Sequence, residues 1–365
     1  MKTQQNPATA GRSDLSSPAG RRWPGGPDEG ERTPSSTSRL ARAGGGRCLP
    51  LLLKREYWEH RGGFLWTPAW ITGVILIITV LGMISAEVFS SHVQVHVGFS
   101  LDQLRSNIST NDFTQAGHGL DMVQLAFVGI ACIGLFFISF FYLLGALYDD
   151  RRDRSVLFWK SLPVSDTATV LSKALTAMLV MPAIVLVVST LAYAVFLVLV
   201  CIWTGAHGLN ALPAVAQSHP LGMFMRLSLM LPIGALWALP TVGWLLFWSA
   251  FARSKPFMWA VLLPIVALFA NWWVGLLGGP HISGDLNLAS MLGRLLFSIM
   301  PGSWIAARSG LDIGRQAFGV DFNGLAFSWM SSLLATPNLW IGASAGVALL
   351  AGAIWLRGRR IETNS

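Results

Sequence analysis

The sequence predicts an all-α integral membrane protein with six transmembrane helices. Two observations carry this prediction. Of the 365 residues, 53% are hydrophobic and only 12% are charged, whereas soluble domains carry about 25% charged residues. The hydrophobic residues also gather into blocks of roughly twenty, the length that crosses a ~30 Å hydrocarbon layer at 1.5 Å per residue.

The N-terminal segment, residues 1–47, is rich in Pro, Gly, Ser and Arg and contains little that could form a core. Such a segment cannot bury enough apolar surface to offset the entropy of ordering it. We therefore predict that residues 1–47 are a disordered tail. The membrane domain is expected over residues 48–360, with a short C-terminal tail at 361–365.

Six blocks without Asp, Glu, Lys, Arg or His follow the tail, and each predicts one span. The third is longer than one span requires, so its cytoplasmic end is expected to project from the bilayer. Ion-coupled carriers usually need an ionisable group at membrane depth. The charge-free blocks therefore argue against a self-powered carrier. The predicted spans are about 68–86, 122–147, 174–203, 227–251, 257–277 and 338–356.

The placement of Lys and Arg predicts that both termini lie in the cytoplasm, since basic residues favour cytoplasmic flanks. With the N-terminus inside, fifteen basic residues flank the spans on the inner side and five on the outer side. The inner ones are Arg42, Arg47, Lys54, Arg55, Arg61, Arg151, Arg152, Arg154, Lys160, Lys173, Arg253, Lys255, Arg357, Arg359 and Arg360; the outer ones are Arg105, Arg226, Arg294, Arg308 and Arg315.

A further apolar stretch lies in the outer segment before the last span. It runs from Leu288 to Ala307 and is interrupted by Arg294, Pro301 and Gly302. The central charge and the Pro-Gly break argue against a full span. We predict a re-entrant or interface-lying pair of helices near the outer surface.

The sequence shows no motif for catalysis, for cofactor binding or for a metal site. No lysine follows a glycine, which excludes a G-x-x-x-x-G-K-[ST] phosphate loop, and no His-Glu-x-x-His occurs. Residues 342–346, Gly-Ala-Ser-Ala-Gly, match the letters of a serine nucleophile elbow. They lie inside the last apolar block, where small residues four apart predict close helix packing.

The net charge of +8 does not indicate nucleic-acid binding. The basic residues sit in the tail or beside hydrophobic blocks, where they set orientation and contact anionic lipid headgroups. We therefore expect membrane lipids, and no nucleic acid, among the partners of this chain.

The cytoplasmic loop between the second and third spans is the most informative segment. A dense charge cluster, residues 149–154, is followed by apolar side chains on the water side. Such an exposed apolar segment either folds back onto the membrane or docks into a groove on a partner. Spacing alone favours neither. The apolar residues are Val156, Leu157, Phe158 and Trp159.

The end of this loop carries the signals of a helix start. Pro163 ends the structural element that contains residues 156–159. Ser165 followed by Asp166 then predicts the N-cap and first turn of a helix that runs into the third span.

The loop resembles that of the membrane subunits (permeases) of ABC-2 type ABC transporters, the type V exporter architecture. Asp150-Arg151, the apolar residues 156–159, Pro163-Val164-Ser165 and Lys173 match the family pattern in order. The usual Glu-Arg-x-x-Gly-Thr opening here reads Asp-Arg-Arg-Asp-Arg-Ser, without the glycine. The resemblance extends over about residues 48–360.

Residues 53–62 resemble the N-terminal interfacial "elbow" helix that precedes the first span in these permeases. That helix would contain Lys54, Arg55, Glu56, Tyr57 and Trp58.

The resemblance implies a function in which residues 156–159 form a coupling helix seated on a separate ATP-binding subunit. Asp150, Arg151 and Pro163 would belong to the same coupling region. Two permease copies or homologues would enclose the translocation path, and the outer helices would gate it. The chain would bind no cofactor, because ATP is bound and hydrolysed by the partner, and it would not be an enzyme.

The expected location is a bacterial inner membrane. One alternative is the membrane component of an ATPase-driven sensory or resistance complex. A secondary carrier, less supported by the charge-free spans, is the other.

The topology can be tested by labelling single cysteines in intact cells, on a background without native cysteines. We expect Lys160→Cys to be protected from an impermeant reagent added outside, because the basic flanks place loop 148–172 in the cytoplasm. Labelling of this position from outside would contradict the predicted orientation. A cysteine introduced in the outer segment, for example Arg105→Cys, serves as the accessible control.

Overall fold

The computed structural model describes residues 36–92, 110–153, 165–278, 288–303 and 334–362. The chain divides into two units, Met1–Arg42 and Ala43–Ser365. Of the first unit, only residues 36–42 are described, as helix. Apart from the start of α1, the description below concerns the second unit.

The regular elements of the described residues are all helices, with no strand. In chain order they are α1 (Ser36–His92), α2 (Thr110–Ala146), α3 (Tyr148–Arg152), α4 (Asp166–Leu175), a π turn (Thr176–Val180), α5 (Met181–Ala206), α6 (Leu212–Gln217), α7 (Pro220–Phe251), α8 (Pro256–Leu276), α9 (Leu288–Phe297) and α10 (Pro337–Glu362).

Six helical stretches are long and apolar enough to cross a membrane, which confirms the predicted fold class. Most are longer than the apolar blocks, because polar helical turns extend them at one or both ends. Their limits are Leu49–Ser85, Phe113–Arg152, Asp166–Ala206, Leu212–Phe251, Pro256–Leu276 and Pro337–Arg359.

Helix α1 begins at Ser36, within residues 1–47, and the disorder of that segment stays a prediction. The helix continues without a break through residues 53–62 into the first span, so the elbow is not a separate helix. Two aromatic contacts stabilise α1 on either side of Gly62-Gly63. The rings of His60, before the glycines, and Phe64, after them, both pack on Tyr142 of α2.

The π turn, Thr176–Val180, interrupts the third span near the start of the predicted apolar block 174–203. Most of α4 lies before that block. The backbone N–H of Met181 donates to the carbonyl of Thr176, five residues back. Pro182 follows, and a proline has no N–H for the usual bond and collides with the preceding turn. The wider turn accommodates this conflict, and such turns are frequent at functional sites.

The core is built by α2, α4, α5, α7 and α10, whose apolar faces form one continuous cluster. Leu143, Val242, Leu245 and Leu246 are fully buried within it. Helices α1 and α8 lie at its periphery and expose most of their apolar side chains. That distribution fits helices with lipid on one side, where an apolar surface has a matching solvent.

Helices α7 and α10 pack against each other more extensively than any other described pair. The packing depends on glycines. A Cβ at Gly346 would lie 2.5 Å from the carbonyl oxygen of Leu239 and 2.7 Å from the nitrogen of Pro240, and one at Gly243 would lie 2.5 Å from the carbonyl oxygen of Gly346. The helix-packing interpretation of Gly342–Gly346 is therefore confirmed.

The predicted break in the outer apolar stretch is also found. Helix α9 is only ten residues long and ends at Phe297, and Gly302 has φ of 85°, a conformation that favours glycine. The second predicted helix of the pair falls outside the described residues.

Gly346→Ala tests the glycine contact. We expect a loss of about 1–3 kcal/mol of stability, the usual cost of overpacking, since the neighbouring atoms are backbone and cannot turn aside. The measurement is the free energy of unfolding in mixed micelles. Gly73→Ala is the matched control, because a Cβ at Gly73 meets nothing within 4 Å. Equal stability of the two variants would contradict the close approach of α7 and α10.

Candidate functional site

Five charged residues form a network, called here the ionic network: Glu56, Asp150, Asp166, Lys173 and Arg357. At its centre, Nζ of Lys173 lies 3.3 Å from Oε1 of Glu56 and 3.6 Å from Oδ2 of Asp150. Glu56 is 1% exposed and Lys173 is 4% exposed. A charge this buried is tolerated only with a partner, so the pair fixes α1 to α4.

Arg357 of α10 completes the network from the other side. Its Nε lies 3.0 Å from Oδ1 of Asp166, and its Nη1 lies 3.5 Å from Oδ2 of Asp150. Asp150 thus contacts both cations. Through these four contacts the network joins α1, α3, α4 and α10, which lie far apart in the sequence.

Aromatic residues close off the network on the α1–α2 side. The hydroxyl of Tyr142 donates to Oε2 of Glu56 over 2.9 Å. Its ring lies against His60 and Phe64, with centroids 5.1 and 5.3 Å away. Both oxygens of Glu56 therefore have partners, which reduces the cost of burying the carboxylate.

The start of α4 positions two members of the network. Oγ of Ser165 accepts a hydrogen bond from the N–H of Ala168 over 3.2 Å, which confirms Ser165 as the predicted N-cap. Asp166 and Lys173 then follow seven residues apart, two helical turns, and so lie on one face of α4. This face meets α10 through Arg357.

Arg151 fixes the end of α2 to the end of α7. Its guanidinium donates to the carbonyl oxygens of Ser249 and Ala252, the latter over 3.0 Å. In return, Oγ of Ser249 accepts from the backbone N–H groups of Leu147 and Tyr148, over 2.9 and 3.0 Å. The segment that leads into the loop is therefore held on two sides.

The structure brings together some predicted site residues and separates others. Asp150, Arg151 and Glu56 lie in or beside the ionic network. Arg55 pairs with Glu59 on the surface of α1 over 3.2 Å. Lys54 and Trp58 are exposed and Tyr57 is half-buried, so these three stand apart from the network. Val156, Leu157, Phe158, Trp159 and Pro163 fall outside the described residues.

Sequence reasoning missed the pairing of Lys173, Asp166 and Arg357. It used Lys173 and Arg357 only as markers of orientation and Asp166 only as a first-turn residue. The available signal was the presence of acidic residues at the same predicted ends of the spans as these basic residues. Nothing in the spacing shows which of them meet.

A possible metal-ligand group lies next to the network. Ligand atoms of Glu56, Glu59 and His60 lie within 4.8 Å of one another. The Glu56 carboxylate already contacts Lys173, and that of Glu59 contacts Arg55. Each carboxylate thus has a cationic partner from the protein itself, and the grouping is explained without an ion.

A second tie joins α1 to the third span at the opposite end. Nε2 of His207 lies 2.8 Å from Oε2 of Glu87, and Nδ1 lies 2.8 Å from the carbonyl oxygen of Trp203. Both partners are acceptors, so the full set of bonds requires a protonated imidazole. The Trp203 carbonyl, followed by Glu87, raises the pKa of His207 above its ordinary value.

These features define a polytopic all-α membrane protein with paired charges buried at one end of its spans. Comparison with family models, with curated proteins and with solved structures finds no match. The site must therefore be interpreted from its own geometry.

Lys173→Met tests the ionic network. It leaves Glu56 buried with Tyr142 as its remaining described partner, so we expect a loss of about 3–5 kcal/mol in the free energy of unfolding. The double variant Glu56→Gln/Lys173→Met should recover part of this loss, because it removes both charges.

Glu59→Gln is the matched control on the same helix. It breaks the exposed Arg55–Glu59 pair and should cost less than about 1 kcal/mol. A small loss for Lys173→Met, close to that of the control, would mean that the charges at the network are solvated.

Proposed function

We propose that this chain is the membrane-spanning permease subunit of an ABC-type exporter and couples to a separate ATP-binding subunit. In this function, loop 154–164 receives the movement of the ATPase. The spans convert it into opening of a path between two permease copies. The chain works in a bacterial inner membrane with both termini in the cytoplasm.

The observation that carries the proposal is how the two ends of the loop are held. Asp150, just before the loop, and Asp166, just after it, both contact the single guanidinium of Arg357. Asp150 and Glu56 also share Lys173. A displacement of the loop therefore acts at once on the first, third and sixth spans, as a coupling segment requires.

The sequence of the loop supports a partner on the water side. Phe158 and Trp159 are large apolar side chains next to a dense charge cluster, and aromatic residues of this kind are typical anchors of protein interfaces. The chain contains no phosphate-binding loop motif. An ATP-binding partner would supply both the groove and the energy.

One alternative is a sensory or resistance complex in which an ATPase drives signalling instead of export. It would use the same coupling region, so transport itself separates the two. The other is a secondary carrier, which would need no ATPase. Transport by the purified chain alone in liposomes would favour the carrier.

The test is the double variant Phe158→Ala/Trp159→Ala. We expect normal membrane insertion but association with the ATP-binding subunit weakened more than tenfold. Truncating a buried aromatic anchor commonly costs ~2 kcal/mol or more, and 1.4 kcal/mol is a factor of ten. The measurements are the yield of the co-purified ATP-binding subunit and its substrate-stimulated ATP hydrolysis.

Two controls make the result specific. Trp272→Ala/Trp273→Ala removes an adjacent pair of exposed aromatic residues from the opposite end of a span and should leave the complex intact. Arg152→Ala removes an exposed charge of the loop and should have a small effect. Normal yield and normal coupled hydrolysis in the Phe158/Trp159 variant would refute the coupling assignment.

A further inference from the structure

Helix α9 places a charged side chain between two spans. Nη1 of Arg294 donates to the carbonyl oxygen of Asn338 on α10 over 2.6 Å. Its guanidinium lies over the ring of Trp237 on α7, 4.2 Å from the centroid. Its own carbonyl accepts from the hydroxyl of Thr241 over 2.9 Å. Arg294 is thus fixed against α7 and α10, the most extensively packed pair among the described helices.

The position of these contacts along the spans places Arg294 at membrane depth. The residues at the level of the ionic network are Ala252 on α7 and Arg357 on α10. From Thr241 to Ala252 is about 17 Å at 1.5 Å per residue. On α10 the guanidinium contacts Asn338 and Gly342, which lie about 28 and 22 Å from Arg357. The hydrocarbon layer is ~30 Å thick. Although the predicted spans are free of charge, α9 therefore brings a charge between them.

One edge of the guanidinium has no hydrogen-bond partner among the described residues. Its Nε and Nη2 are both buried and unpaired. Together these two N–H groups form a fork that matches two oxygens of a carboxylate or phosphate. Arginine keeps its charge in proteins even when it is buried. A charged group at this depth is rare and marks a functional site by default.

Apolar side chains stand a few residues from Arg294 on α9 and from its contact residues on α10. Met291 and Phe297 on α9 and Trp340 and Ile341 on α10 expose large hydrophobic side chains. In the described conformation Nη2 rests against Gly342, where a Cβ would overlap it. The fork is therefore covered by α10, and binding of a ligand to it requires α9 to move away from α10. Only a ligand with an apolar body finds a favourable environment there.

We propose that Arg294 binds the carboxylate or phosphate group of an amphiphilic anion through its Nε/Nη2 edge. In the exporter described above, and resting on that proposed function, such an anion is the class of substrate. The apolar body lies along α9 and the beginning of α10, and Trp237 holds the guanidinium in place.

The experiment uses the full chain in dodecyl maltoside, a detergent without phosphate, and a palmitate that carries a photoreactive diazirine. Crosslinking yield against concentration gives the apparent Kd, and mass spectrometry locates the labelled peptide. We expect labelling in α9 or at the beginning of α10, and little labelling by the corresponding hexadecanol. Arg294→Gln should raise the Kd more than tenfold, because it removes a charge-assisted bidentate bond.

Two variants separate this site from general charge effects. Arg294→Lys keeps the charge without the fork and should bind with intermediate affinity. Arg226→Gln removes another arginine and should bind like the wild type. Every variant is compared at the same elution volume in size-exclusion chromatography. Labelling elsewhere, equal weakening by Arg226→Gln, or unchanged binding by Arg294→Gln would each overturn the proposal.

Competition identifies the source of the anion. Displacement of the probe by dodecyl phosphate but not by phosphatidylglycerol indicates a single-chain solute, and displacement by both indicates a lipid headgroup. No displacement by either would overturn the proposal, since it would show that the phosphate group is not recognised. The assay contains no ATPase, so its failure is distinguishable from failure of the coupling proposal.

Discussion

The burial of Lys173 is the constraint on which the loop end of the molecule depends. An ammonium group 4% exposed must have a carboxylate beside it, because an unpaired charge in this position would cost several kcal/mol. Glu56 of α1 and Asp150 of α3 are the carboxylates beside it. Asp150 also contacts Arg357 of α10, and Arg357 contacts Asp166 of α4. The positions of four elements follow from one buried cation.

The apolar part of the fold follows another rule. Lipid is as apolar as the helix surfaces, so helices in a membrane associate through close packing and polar contacts. The glycine contact between α7 and α10 is of the first kind, and the bonds of Arg151 and Ser249 are of the second. The bonds of Arg151 and Ser249 lie at the ends of α2 and α7, whereas the glycine contact lies inside the spans of α7 and α10.

Sequence reasoning predicted the number and approximate limits of the spans because hydrophobic length is a local property. It also predicted the Ser165 cap and the role of Gly346, both of which depend on neighbours a few residues apart. It was wrong about a separate elbow helix, since continuity through Gly62-Gly63 depends on Tyr142, about eighty residues later. The pairing of Lys173 with Glu56 could not be predicted for the same reason: many acidic residues are available and only the fold selects one.

Helix α1 is tied at two points, at Glu56 to Lys173 and at Glu87 to His207. Glu56 and Glu87 are 31 positions apart in the sequence, which corresponds to about 46 Å along the helix axis. A bilayer with its headgroups is ≈ 40–45 Å thick, so the two ties lie near opposite water boundaries. A helix fixed at both ends in this way resists movement along its axis. It can bow sideways between its ends, but sliding along its axis by one turn, about 5.4 Å, would break both ties together.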